Sequence, residues 1–182
     1  QINPHFFMNT LNNIHALIDI DTHVAKTTVI ELSKMMRYVL YDSENQVADL
    51  RNDVNFIEHY VSLMRIRYTT DVDIQFNIQE PLPVEAKVPP LLFIVFVENA
   101  FKHGVSYAQY SYVYINLKCS DGRTYFEVRN SRHGVNSKEQ GGVGLENVRK
   151  RLDLIYDSNY SLEIDSHEER EYVVKLSIPL MR

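Results

Sequence analysis

The chain has 182 residues, of which 45% are hydrophobic and 24% are charged, and its formal net charge is −5. This length and composition suit one sizeable core, or a small domain with a helical appendage. The acidic balance excludes the class of proteins that bind the phosphate backbone of nucleic acids through a basic surface.

Two amphipathic helices are predicted at the beginning of the chain. Asn3-Pro4 is a favourable start, because Asn can cap a helix and Pro is tolerated in its first turn. Apolar residues then recur at helical spacing on both sides of a polar stretch at 19–23, namely Phe7, Leu11, Ile14, Ile18, and then Ala25, Val29, Leu32, Met36 and Val39. We expect an antiparallel hairpin, which buries little alone and would form a four-helix bundle in a homodimer.

A third helix and a second structural unit follow. The apolar stripe of the third helix is Leu50, Val54, Ile57, Val61 and Met64. From Val72 the apolar period changes to two, which indicates a strand. The later segments predict a buried helix at 91–104, a hairpin around Ser120-Asp121-Gly122, a polar loop at 131–141, a helix at 144–156 and two closing strands. The sequence therefore predicts an α+β fold, with a helical segment at 1–68 and a two-layer α/β sandwich at 69–182.

The string QINPHFFMNTLN at residues 1–12 carries the first chemical motif. His5, Asn9 and Asn12 share the polar face of the first helix, since about 100° separates successive residues. A single surface histidine would ordinarily have no chemical role. The string, however, resembles the phosphoacceptor box of the LytS-like sensor histidine kinases. The resemblance implies that His5 is phosphorylated, because a neutral imidazole can attack a γ-phosphate. Spacing makes Asn9 a candidate for orienting a water that dephosphorylates a partner protein.

A second string, PPLLFIVFVENAFKHG at residues 89–104, resembles the N-box of the same family. The resemblance implies that Asn99 ligates Mg²⁺ through its amide oxygen, that Lys102 meets the phosphates and that His103 lines the nucleotide site. Glu98 is charged within an otherwise apolar run. It is either a surface carboxylate or a general base near the γ-phosphate, and because Phe6 follows His5 where many histidine kinases carry an acidic residue, Glu98 is the one candidate base.

The third motif, GGVGLENVRKRL at residues 141–152, follows the polar loop and opens a helix. Glycines permit a close backbone approach and a helix N-terminus attracts phosphate, whereas simple helix capping is the alternative interpretation. The string resembles the family's glycine box, which implies that Gly142, Gly144 and the adjoining Leu145 contact the nucleotide.

The fourth motif departs from the family. Where the family has an Asp that accepts a hydrogen bond from the adenine amino group, the string VRNSRHG at residues 128–134 has Asn130, and Gly134 matches the last glycine of the family's box. The Asn130 oxygen can still accept this bond, but an uncharged acceptor binds more weakly than a carboxylate. The departure therefore concerns nucleotide affinity and leaves the expected fold unchanged.

The resemblance covers nearly the whole chain, with the boxes in family order. It implies a Bergerat, or GHKL, ATP-binding fold, ATP and Mg²⁺ as cofactors, autophosphorylation of His5, and transfer of the phosphoryl group to a response regulator receiver domain. We expect the cytoplasmic part of a bacterial inner-membrane protein, with membrane contact only through an upstream segment.

Two alternatives accompany this hypothesis. A degenerate pseudokinase would bind a partner and signal through its conformation, without phosphoryl transfer. An ATP-hydrolysing clamp of the gyrase type would need a catalytic Glu one turn before the metal-binding Asn, where this sequence has Val95.

Overall fold

The computed structural model describes residues 4–43, 45–68, 71–133, 143–165 and 170–181. It begins with helices α1 (Pro4–Ile20) and α2 (Thr22–Arg37), which pack against each other, and α2 continues into a π-helical turn (Tyr38–Asp42). The carboxylate of Asp21 caps α2, because its Oδ1 atom accepts hydrogen bonds from the backbone N–H groups of His23 at 3.0 Å and Val24 at 3.1 Å. A single capping residue therefore separates the two helices of the expected hairpin.

The buried faces of α1 and α2 differ from the predicted apolar stripes. On α1 the buried residues are Phe6, Thr10 and Ile14, and on α2 they are Ala25, Thr28, Leu32 and Met35. Leu11, Ile18, Val29 and Met36, which belong to the predicted apolar stripes, are 44–52% exposed. Apolar residues occupy two faces of each helix, and the face that carries these four side chains stays uncovered in the single chain. The expected pairing with a second hairpin stays a prediction.

The remaining elements form a helix-covered sheet. In chain order they are β1 (Ala48–Asp49), α3 (Leu50–Arg67), β2 (Val72–Ile78), β3 (Lys87–Val88), α4 (Ile94–Gly104), β4 (Ser111–Ser120), β5 (Arg123–Ser131), α5 (Val143–Tyr156), β6 (Ser161–Asp165) and β7 (Glu171–Pro179). The longer helices and strands agree with the prediction, except that α4 begins at Ile94 instead of residue 91; the two-residue strands β1 and β3 were not predicted.

The main sheet has five strands in the order β2-β4-β5-β7-β6, with β2 parallel to β4 and the other pairs antiparallel. The short strands β1 and β3 form a separate antiparallel pair. The predicted β4–β5 hairpin is confirmed, and its turn residues Asp121 (φ 53°) and Gly122 (φ 73°) both adopt the left-handed conformation that tight hairpin turns require.

Helices cover one face of this sheet. Along β4, Val113, Ile115 and Leu117 are buried beneath the helices, while the alternating Tyr112 and Tyr114 on the opposite face are partly exposed. The predicted α+β, two-layer fold is confirmed. The division after residue 68 stays a prediction, because α3 packs both against α2 and against β2.

No helix in the part of the chain that the structure describes combines the length and the apolar character needed to cross a bilayer.

Candidate active site

The imidazole of His5 lies in the first turn of α1 and is exposed to solvent. The side-chain amide of Asn9, one turn further along, places its Nδ2 atom 3.2 Å from His5 Nδ1. This contact agrees with the shared polar face that the spacing predicts. A hydrogen bond at Nδ1 matters chemically because it selects which ring nitrogen carries the proton.

An aromatic contact joins α1 to the sheet-bearing unit. The ring centroid of Phe6 lies 4.8 Å from that of Tyr60 on α3, and the Tyr60 ring meets Phe101 on α4 edge to face at 5.8 Å. Phe6 adjoins His5 in the chain, and Phe101 adjoins Lys102. Tyr60 therefore bridges the helix that carries the candidate phosphoacceptor and the helix that carries the candidate nucleotide-binding residues.

Helix α4 presents its polar residues at its C-terminal half. Glu98 and Asn99 are half-buried, while Lys102 and His103 are exposed in the last turn. Burial raises the pKa of the Tyr60 phenol, and the negative charge of Glu98 raises it further. Glu98 thus lies within electrostatic reach of the ring that contacts Phe6, which agrees with a carboxylate on the side of α4 that faces α3.

The end of α4 rests directly on strand β5. Asn130 is buried, its Nδ2 atom donates to the Ser131 carbonyl at 2.8 Å, and the Ser131 hydroxyl donates to the Gly104 carbonyl at 2.5 Å. A Cβ atom on Gly104 would come within 2.5 Å of the Asn130 amide nitrogen. The structure therefore brings Asn130 to the C-terminal end of α4, the helix that also carries Asn99.

The glycine box is described only from α5 onwards. Gly144 lies in the first turn of α5, and a Cβ atom there would sit 3.8 Å from Val95 Cγ1 on α4. Since Val95 and Asn99 are one turn apart, the start of α5 approaches the same side of α4 as Asn99. Leu145 is buried in the core. Gly134, Gly142 and most of the predicted loop at 131–141 lie outside the described residues.

The donor chemistry of the site fits a magnesium ion bound mainly by phosphate. Within the described ranges there is no cluster of three or more His, Cys, Asp or Glu side chains that could hold a metal by themselves. Mg²⁺ in nucleotide sites commonly takes one or two side-chain oxygens together with phosphates and waters. The half-buried amide of Asn99 can supply one such oxygen.

An open groove of about 770 Å³ lies on the opposite face of the sheet. Its lining includes Asn77, Asn116, Lys118 and Tyr125, and none of the predicted site residues. The groove therefore plays no part in the candidate site.

Sequence reasoning missed the residues that tie the helical hairpin to this site. Asp53 is buried, and its Oδ1 atom accepts hydrogen bonds from the Tyr38 hydroxyl at 2.8 Å and from the backbone N–H of Leu91 at 2.7 Å. The available signal in the sequence was a carboxylate, that of Asp53, next to the apolar stripe of Leu50, Val54 and Ile57. Its partners are 15 and 38 residues away in the chain, so no local pattern identifies them.

The candidate site can be compared with those of known proteins. The model of the histidine kinase family matches residues 1–72. The sensor protein LytS of Staphylococcus saprophyticus is 32% identical over 184 residues, which cover 93% of this chain and 31% of that protein. The chain thus spans about a third of the length of the curated relatives it matches.

Solved structures share the fold at lower identity. The histidine kinase domain of the blue-light activated histidine kinase EL346 from Erythrobacter litoralis superposes with a TM-score of 0.56 at 16% identity, over 93% of this chain and 87% of that one. Full-length ShkA in complex with AMPPNP superposes with a TM-score of 0.54 at 15% identity, over 91% of this chain and 38% of that one.

Proposed function

We propose that this chain is the catalytic part of a sensor histidine kinase and phosphorylates His5 with ATP. The chain belongs to the LytS-like sensor histidine kinases. The observation that carries the proposal is the position of Tyr60 between Phe6 and Phe101. Through this ring, the helix with an exposed histidine packs beside the unit that bears Asn99. Transfer of a phosphoryl group between a nucleotide and a side chain depends mainly on such positioning and on electrostatics.

Asn9 would prepare His5 for attack. A neutral imidazole is nucleophilic at the nitrogen that lacks a proton, so attack by Nε2 requires the proton to reside on Nδ1. Rotation of the Asn9 amide by half a turn puts Oδ1 in the place of Nδ2, where it accepts the Nδ1 proton. Asn9 would then hold the ring in the productive tautomer. Its second role in the proposal is to orient a water during dephosphorylation of a partner.

The nucleotide side of the reaction is assigned to α4, β5 and the glycine box. Asn99 would ligate Mg²⁺, Lys102 and His103 would contact the phosphates and the nucleotide wall, and Asn130 would accept a bond from adenine. Gly134, Gly142, Gly144 and Leu145 complete the proposed set. Bound ATP–Mg²⁺ supplies the γ-phosphoryl group and the charge neutralisation that its transfer needs.

Glu98 is the proposed base. As Nε2 forms its bond to phosphorus and the bond to the bridging oxygen of ADP breaks, the proton on Nδ1 becomes acidic. In the proposal, the Glu98 carboxylate stabilises the positive charge that develops on the imidazole, or accepts the Nδ1 proton once Asn9 has released it. The effect of Glu98 on the pKa of Tyr60, which contacts the residue next to His5, supports this assignment.

Residues 1–68 are proposed to form the dimerisation and phosphotransfer segment, and 69–182 the ATP-binding domain. The exposed apolar side chains on the hairpin, Leu11, Ile18, Val29 and Met36, support a homodimer in which two hairpins cover one another. We further propose a response regulator receiver domain as the phosphoryl acceptor and a location on the cytoplasmic side of a bacterial inner membrane.

Incubation with γ-labelled ATP tests the kinase proposal. Acid-labile label should appear on the wild-type chain and vanish in His5→Gln. His15→Gln, a change of another exposed histidine on the same helix, should keep the label. Label that persists in His5→Gln would overturn the assignment of the phosphoacceptor.

A binding module without phosphoryl transfer is the second candidate function. It is favoured by one observation: Asn130 is uncharged and its amide nitrogen is already bonded to the Ser131 carbonyl. Calorimetric titration with an ATP analogue separates the candidates, because a module of this kind shows no binding at millimolar nucleotide.

A further inference from the structure

Asp53 connects the helical hairpin to the segment that leads into α4. Its Oδ1 atom is the common acceptor for the Tyr38 hydroxyl and for the Leu91 backbone N–H. Tyr38 begins the π-helical turn at the end of α2, and Leu91 lies three residues before the start of α4. A single buried oxygen atom thus joins the end of the hairpin to the segment that leads into α4.

Within the described part of the chain, only one of the two oxygen atoms of this carboxylate is hydrogen-bonded. Its second oxygen, Oδ2, is buried and has no hydrogen-bond partner among the described residues. Burial raises the pKa of Asp53 to about 6, even though the hydrogen bonds from Leu91 and Tyr38 and the charge of Arg151 lower it. A buried, half-satisfied carboxylate ordinarily destabilises a protein relative to an apolar residue. The position of Asp53 therefore indicates a role other than stabilising the fold.

The Asp53 carboxylate binds a residue with an unusual backbone conformation, Leu91. With φ at 58°, this residue adopts the left-handed conformation that β-carbon sterics disfavour. The hydrogen bond to Asp53 fixes the amide of this strained residue three residues before α4 begins. Because an α-helix is rigid over three turns, the orientation of its first residues sets the position of Asn99 within it.

We propose that Asp53 is a positioning residue that couples docking of the α1–α2 hairpin to the orientation of α4, so that His5 and Asn99 reach their working arrangement together. The inference rests on the proposed kinase function. Arg151, partly buried on α5, interacts with the same carboxylate through its charge. The helix that begins in the glycine box is therefore also linked to Asp53.

Removal of one hydroxyl group tests the coupling in the full chain. Tyr38→Phe deletes the bond from the hairpin and leaves the Leu91 bond intact. Tyr156→Phe is the matched control, because the Tyr156 hydroxyl is also buried but has no hydrogen-bond partner within the described ranges. The measurements are the affinity for an ATP analogue by calorimetry, the kcat and KM for labelling of His5, and hydrogen exchange of residues 38–43 with and without the analogue.

Tyr38→Phe should lower kcat about tenfold while KM and analogue affinity stay within about twofold, as expected for the loss of one positioning hydrogen bond. Tyr156→Phe should leave both constants unchanged. Equal kcat in the two variants, or equal losses of affinity and rate in Tyr38→Phe, would overturn the proposal.

Hydrogen exchange separates this outcome from a failure of the kinase assignment. If the wild-type chain takes up no label, the proposed function fails, but coupling still predicts that the analogue protects residues 38–43 in the wild type and in Tyr156→Phe, and not in Tyr38→Phe. Absence of such protection in the wild type would refute the coupling itself.

Discussion

Glu31 on α2 and His59 on α3 are joined by a 2.5 Å contact between carboxylate Oε2 and imidazole Nδ1, and both side chains are largely buried, with 16% and 24% exposure. Lys34 adds a second bond to the same carboxylate. The hairpin is therefore held to α3 by polar contacts as well as by the Phe6–Tyr60 packing.

Glu31→Gln should loosen this attachment. Burial raises the pKa of Glu31, but hydrogen bonds from Lys34 and His59 and the charges of both residues lower it, and the net pKa is below its ordinary value of 4.5. The carboxylate thus stabilises the fold above about pH 4.5, and this contribution is lost as the pH falls through its lowered pKa. At neutral pH the variant should lose roughly 1–2 kcal/mol of unfolding free energy.

Urea unfolding measures this loss, and Glu85→Gln, an exposed loop position, serves as the control. The difference between Glu31→Gln and the wild type should shrink in acid. A difference that is constant with pH would contradict the charge-based explanation.

Asp53→Asn should raise the unfolding free energy at neutral pH relative to its value in acid, whereas Glu31→Gln should lower it. The pKa of Asp53 is raised from 3.8 to about 6, so the folded chain binds this proton more tightly than the unfolded chain. The resulting stability is fully present below pH 3.8 and is lost as the pH rises through about 6. Asn does not titrate, so the variant keeps the stability that the wild type loses. Between acid and neutral pH, the unfolding free energy of the variant minus that of the wild type should therefore rise by about 3 kcal/mol. Asp121→Asn, in an exposed turn, should show no such gain in the same urea titrations.

Gly104→Ala and Gly144→Ala should behave differently. A Cβ atom at position 104 would overlap buried Asn130 at 2.5 Å, so this variant should lose roughly 1–3 kcal/mol of unfolding free energy. At position 144 the Cβ atom would only reach ordinary contact with Val95 at 3.8 Å, and thermal unfolding should be unaffected or slightly improved.

Nucleotide titration of Gly144→Ala then separates the two interpretations of the glycine box. If the backbone of this glycine approaches phosphate, affinity for an ATP analogue should fall although the fold is intact. Unchanged affinity would favour simple helix capping.

Val29→Glu should disrupt the proposed homodimer. Val29 is 45% exposed on the side of α2 that α3 does not cover, and burial of a charge between two hairpins is unfavourable. Sedimentation equilibrium should show a higher dimer dissociation constant for this variant. Val84→Glu, at a 95% exposed loop position, should dissociate like the wild type. Equal dissociation constants for the two variants would place the dimer contact elsewhere.

Local chemistry explains what could be predicted from the chain alone. The left-handed turn at Asp121-Gly122 and the alternation along β4 follow from residue type and period, so the element order and the two-layer fold were predictable. The motif around His5 similarly indicated an exposed histidine with Asn9 on its face, which the 3.2 Å contact supports. The buried faces of α1 and α2 were not predictable, because Leu11 and Phe6 are equally apolar and only α3 decides which of them is covered.

The sequence by itself determined the family, the order of helices and strands, and the chemical identity of the residues around the candidate site. Only the tertiary structure decided that Tyr60 lies between Phe6 and Phe101, that Asn130 contacts Gly104, and that Asp53 joins Tyr38 to Leu91. Secondary structure depends on periodicities of a few residues, whereas these contacts join positions 15 to 54 residues apart, which meet only when the whole core packs.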